Sequence, residues 1–378
     1  MNDRSDELVA EIFGDVHYQP TLAAPKDFKP WHKPRKQFVR RKQWSALLRR
    51  LYSQREPDQP LRYLGLPGTD LIDLRYLYEE ICRPNDRPLR FLGFNTEAQP
   101  GSPAHYELNV SLNEVRALQN VDPQSNVIHD DFRRIGSEES VAWSHVKSLG
   151  PFDVVNIDLC DGLASDPPQA DRQIYDALAR LVAFQSRIHT PWLLFVTTRI
   201  GRGFFDVEAE KRLMNVFRKN VTNCEGFAEE CQLLLESDVT CIDSAKCNDV
   251  DFLILMIAAI GKWLSEMVQA QNISNADLAS THGYRIDPGA TCEDLVSLAL
   301  RFEPVIAPSP DPLSPTPPAP VDECVIAKGI LRRVVQRRDV DAILAGEHEM
   351  TEELIVEMER LLAQARYDET GYRPWLVS

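Results

Sequence analysis

Short apolar runs alternate with longer amphipathic stretches from Leu61 onward. LRYLGL (61–66), RFLGFN (90–95), NVIH (126–129), FDVVNID (152–158) and PWLLFVTT (191–198) read as strands. Between them the apolar positions take helical spacing, as in Leu71, Leu74, Leu77, Tyr78 and Ile81, or in IYDALARLVAFQSRI (174–188). Strands apolar on both faces and separated by helices predict an α/β, Rossmann-like, doubly wound and mostly parallel sheet. After Thr198 the rhythm changes. Residues 206–235 and 249–270 read as a helical insertion, and THGYRI (281–286) and DLVSLALRFEPV (294–305) as two closing strands. PSPDPLSPTPPAP (308–320) cannot pack as a regular element and reads as a stiff linker.

The predicted organisation is therefore an acidic start and basic N-terminal arm (1–60), a Rossmann-like domain (61–305), a Pro-rich linker (306–321) and a small C-terminal helical appendage (322–378). In the appendage Leu354, Ile355, Met358, Leu361, Leu362 and Ala365 form one stripe, with Thr351 as the expected N-cap. So small a helical unit buries little alone. It is expected to dock on the main domain, on a copy of itself or on a protein partner.

Charge changes the picture at one place. The 378 residues carry 57 acids against 42 Lys and Arg, a net of −15. Residues 26–50 nevertheless hold ten Lys/Arg and one Asp. Lys33, Arg35, Lys36, Arg40, Arg41 and Lys42, with Trp31 among them, suit phosphate contacts and base stacking on RNA or DNA. The same block suits a strap held by the acidic body, and both readings stand. Arg199 and Arg202 read as a phosphate-facing pair or as a solvated loop. The longest apolar run, Phe252 to Ile260, is too short to span a bilayer, and no membrane contact is expected. Eight scattered cysteines without a CxxC read as reduced thiols in a cytoplasmic protein, and no metal site is expected.

Ligands of a doubly wound sheet bind beyond the carboxyl ends of its strands. Those ends are Gly65-Leu66-Pro67-Gly68-Thr69-Asp70, Asn95-Thr96-Glu97, His129-Asp130-Asp131-Phe132, Asn156-Ile157-Asp158-Leu159-Cys160-Asp161 and Thr197-Thr198-Arg199. As a set they resemble the class I S-adenosylmethionine-dependent methyltransferases over residues 61–305. FDVVNIDLCDG followed by PWLLFVTTR is similar to stretches of the tRNA guanine-N2 dimethyltransferases and the three-Cys-motif partner proteins. The resemblance implies S-adenosylmethionine as cofactor, lined by Gly65, Gly68, Glu97, Asp131 and Phe132. It implies Asp158, helped by Asn156, as the group facing a nucleic-acid acceptor, RNA favoured. Leu66-Pro67-Gly68 stands where the family has a Gly-x-Gly core, and Pro67 removes a backbone donor. The alternative is a catalytically degenerate, methyltransferase-like scaffold. A nicotinamide oxidoreductase would need the G-x-G-x-x-G that is missing here.

Overall fold

The computed structural model describes residues 26–166, 173–269, 274–304 and 322–377. The acidic start and the Pro-rich linker lie outside the described residues. Eight strands form one sheet: β1 (Leu61–Gly65), β2 (Leu89–Phe94), β3 (Asn126–Ile128), β4 (Val154–Asp158), β5 (Trp192–Arg199), β6 (Ser274–Tyr284), β7 (Leu295–Pro304) and β8 (Arg338–Asp339). Their order is β3-β2-β1-β4-β5-β7-β6-β8. The first five strands are parallel. Only β7 is reversed, pairing antiparallel with β5 and with β6. This is the doubly wound, mostly parallel sheet that the apolar strands predict, with its switch in strand order between β1 and β4.

Alternation along each strand builds two cores. Leu64, Leu92, Phe94, Val155, Ile157, Leu194 and Val196 face one side, under the helices Val141–Leu149, Ile174–Gln185, Val207–Asn223 and Asp249–Gln269. Tyr63, Phe91, Val154, Leu193 and Phe195 face the other. There the basic block forms one helical run through Pro34–Val39, a π-helical Arg40–Ser45 and Ala46–Tyr52. Pro34 opens it at the first helical position, where its missing N–H costs nothing. No helix among the described residues is long and apolar enough to cross a membrane.

The C-terminal segment docks on the main domain, the first of the three expected coverings, and enters both cores. Ile330, Leu331 and Val334 of the helix Glu323–Val335 belong to the first core. Leu354, Met358, Leu361 and Leu362 of the helix His348–Gln364 are fully buried in the second. β8 adds an edge strand to the sheet. Thr351 sits inside its helix rather than at the cap, donating to the Leu344 and Glu347 carbonyls. The predicted stripe is correct, and the surface that covers it is the chain's own basic helix and the helix Ile72–Leu77.

The reduced-thiol expectation fails for one pair. Cys224, at the end of Val207–Asn223, and Cys324, at the start of Glu323–Val335, form a disulfide. It closes a loop of 100 residues across the linker. Replacing Cys324 by Ser should lower stability by about 2–5 kcal/mol, mainly by freeing the unfolded chain. Identical melting curves with and without reductant would show that the bridge does not form in solution.

Candidate ligand crevice at the strand switch

The turn after β1 is packed down onto the sheet. A side chain on Gly93 would collide with Pro67 and Val127, so Pro67 lies directly over β2. Asn95, at the end of β2, donates through Nδ2 to the Pro67 carbonyl (2.9 Å) and accepts from the Ala98 amide through Oδ1 (2.9 Å). Asp70 closes the turn. Its carboxylate accepts from Lys26 Nζ (2.7 Å) and from the Tyr367 hydroxyl (2.6 Å). Lys26 also donates to the Ala365 carbonyl (2.7 Å), so residues from both ends of the described chain fasten this loop. Leu71 follows with φ at 54°, a left-handed conformation for a branched side chain.

Tyr63 occupies the space that Gly65 was expected to leave for a cofactor. Residues i and i+2 share a strand face, and a Cβ on Gly65 would collide with the Tyr63 phenol. Tyr63 is buried, its hydroxyl accepts from Asn156 Nδ2 (3.1 Å), and burial pushes its pKa well above the usual range. Asn156 Oδ1 is buried without a hydrogen-bond partner among the described residues. Gly65→Ala should therefore cost about 1–3 kcal/mol through overpacking. A double-mutant cycle with Tyr63→Ala should remove most of that cost. Equal losses in both backgrounds would show that Tyr63 is not what Gly65 accommodates.

Asp158, the expected acceptor-facing acid, is held by Lys36. The ammonium lies 2.5 Å from its carboxylate and 4.5 Å from the Trp44 ring centre, with only 3% of the lysine side chain exposed. Trp44 in turn stacks on Phe195 of β5. One turn further, Arg40 Nε donates to Asp73 at 2.7 Å, both groups buried, and Arg40 also reaches the Trp31 carbonyl (3.2 Å). Lys36 and Arg40 cannot contact a nucleic-acid backbone from inside the protein. Arg41 pairs with Glu353 and Glu357, and Arg35 with Asp341. Trp31 is half-buried and Lys42 exposed. Lys26, Arg35, Lys36, Arg40, Arg41 and Arg49 thus pair with carboxylates of the body, the arrangement that the strap reading expects. Arg199 and Arg202 do not form a phosphate-facing pair. Arg199 pairs with Asp294 (2.6 Å), and Arg202 donates to the Ser244 and Cys247 carbonyls while covering the Phe252 ring.

The β3 end is also engaged. Asp131 caps the Arg133 amide (2.9 Å) and pairs with the Arg133 guanidinium (2.8 Å). Phe132 is buried edge-on against Phe94 in the first core and presents no face to a ligand. Two of the expected positions are open. Nothing lies within 4 Å of the point where a side chain on Gly68 would begin, and Glu97 is exposed. Glu97 also reaches the switch electrostatically. The Cys160 thiol is pushed up by partial burial and by the carboxylates of Asp158 and Glu97. Among the described residues no cluster of His, Cys, Asp and Glu could hold a metal ion.

Tested against S-adenosylmethionine, this set does not fit as it stands. Gly68 and Glu97 are available for a backbone approach and a ribose. Gly65, Asp131, Phe132 and Asp158 are taken by Tyr63, Arg133, Phe94 and Lys36. Sequence reasoning missed Tyr63, Asp73 and the Lys26–Asp70–Tyr367 clamp. Only the first left a signal, the Tyr-x-Gly spacing within a strand.

The sequence matches the PP_RS20740-like family model over residues 25–377. No curated protein matches it. Similar solved structures include a Listeria monocytogenes protein assigned to the class I S-adenosylmethionine-dependent methyltransferases. It is 13% identical, with a TM-score of 0.36 over 88% of this chain and 77% of that one. The DszA carbon methyltransferase is 11% identical, with a TM-score of 0.32 over 68% of this chain and 50% of its own. The 23S rRNA methyltransferase ErmE is 12% identical, with a TM-score of 0.31 over 71% of each chain.

Proposed function

The chain belongs to the PP_RS20740-like family, and we propose that it is a methyltransferase-like binding module whose cofactor crevice is closed by its own side chains. The observation that carries this reading is the Tyr63 phenol packed over Gly65 while hydrogen-bonded to Asn156. The Lys36–Asp158 pair and the Asp70 clamp close the same edge from the two ends of the chain. Opening the edge would leave the buried Lys36 without its counter-charge, which is costly in a poorly solvated site. The module then acts through surfaces beside the crevice. The basic helix supplies no free tract of cations for a polynucleotide, so nucleic-acid binding through residues 26–50 is not part of this reading.

A second reading is favoured by Gly68 and Glu97, which are open at the ends of β1 and β2. In it the chain is an S-adenosylmethionine-dependent methyltransferase, the cofactor supplying an electrophilic methyl group when bound. Glu97 would hold the ribose and Asp158 would orient the acceptor once released from Lys36. Calorimetry with millimolar S-adenosylmethionine separates the two. The binding-module reading expects no saturable heat and no rise in melting temperature. Saturable binding that Glu97→Ala weakens would overturn the closed crevice and favour the enzyme reading instead.

A further inference from the structure

A groove opens beside this closed edge, between the start of the basic helix and the residues that follow β6. Lys33, Arg35, Arg285, Asp287, Pro288 and Asp341 line it. Tyr284, immediately before Arg285, is buried with Asp158 and Arg35 among its electrostatic neighbours, so the groove adjoins the strand switch.

Its charge is unbalanced in an otherwise acidic protein. Arg35 Nε lies 2.6 Å and Arg285 Nε 3.6 Å from the one Asp341 carboxylate. That carboxylate also accepts from the Arg285 amide (2.7 Å), and Arg35 donates through Nη1 to the Arg285 carbonyl (2.5 Å). These bonds fix the two guanidinium groups side by side while 36% of one side chain and 43% of the other stay exposed. Lys33 is half-buried with its ammonium 5.4 Å from the Trp375 ring centre. Among the described residues it pairs with no carboxylate. Asp287 at the rim turns one oxygen to the Gly289 amide (2.8 Å). Three cations thus face two carboxylates in a concave site.

We infer that this groove is a binding site for a phosphate-bearing ligand, clamped between Arg285 and Lys33 with Arg35 behind. Paired guanidinium groups match the oxygens of a phosphate, and an ammonium adds a compact third charge. The site shares no residue with the Gly68–Glu97 opening, so it stands whether or not S-adenosylmethionine binds there. This goes beyond the proposed function by naming the chemistry of the ligand.

The test is titration of the full chain with inorganic pyrophosphate at low ionic strength. Saturable binding is expected, weakened by roughly tenfold or more in Arg285→Met and lost in the Lys33→Met, Arg285→Met double variant. Melting curves check that the variants fold. Acetylation of lysines in the unaltered chain gives an independent reading. Pyrophosphate should protect Lys33 and leave the exposed Lys42 reactive. Absence of saturable binding, unchanged affinity in the folded double variant, or no protection of Lys33 would overturn the proposal. Titration with S-adenosylmethionine in the same variants keeps this outcome separate from that of the crevice.

Discussion

Truncation after residue 321 should leave a chain without a cooperative melting transition. It removes Leu354, Met358, Leu361, Leu362 and Tyr372, all fully buried in the second core, and takes the helix His348–Gln364 off the basic helix. Losing one buried Leu typically costs about 2–5 kcal/mol. Several such losses exceed the roughly 5–15 kcal/mol that separates a folded domain from its unfolded chain. The same cut removes Tyr367 from Asp70 and Ile330, Leu331 and Val334 from the first core. Circular dichroism melting of the truncated chain is the check. A sharp transition near that of the full chain would mean that the C-terminal helices are a dispensable addition after all.

Arg40→Ala should be the most damaging single substitution in the basic helix. Arg40 is 1% exposed, its partner Asp73 is 8% exposed, and their separation is 2.7 Å. Removing one member of a buried ion pair leaves the other uncompensated, which costs about 3–5 kcal/mol. The Trp31 carbonyl loses its donor as well. Lys42→Ala, exposed on the same helical run, should change stability by less than about 0.5 kcal/mol. Denaturant midpoints of the two variants test this directly. If Asp73→Asn added to Arg40→Ala does not recover part of the loss, the pair is not its source.

The two substitutions show what could be read in the sequence. The sheet was legible because parallel strands covered on both sides must be apolar throughout, as in Trp192 to Val196, all buried. The direction of the basic block was not legible from its charge. Ten cations look alike whether they face phosphates or buried carboxylates. A partial signal lay in spacing, since Lys36, Arg40, Trp44 and Leu48 continue one stripe at four-residue intervals and all are buried. The C-terminal stripe was equally clear, but a stripe does not name the surface that covers it. At the crevice, residue types at the strand ends were read correctly as polar. Whether each acid waits for a ligand or already has a partner depends on residues such as Lys36, 122 positions from Asp158, and pairing over long sequence separations has no local pattern.

The enclosure of the strand switch is the central claim, and titration of S-adenosylmethionine into the full chain, followed by calorimetry and by melting temperature, tests it most directly. No saturable heat and no stabilisation are predicted at millimolar cofactor, because Tyr63, Lys36 and Arg133 hold the positions it would need. A ligand at a hundred times its dissociation constant stabilises a folded protein by about 2.7 kcal/mol, a shift that melting curves resolve readily. One-to-one binding with such a shift, abolished by Glu97→Ala, would contradict the account and make the crevice a cofactor site.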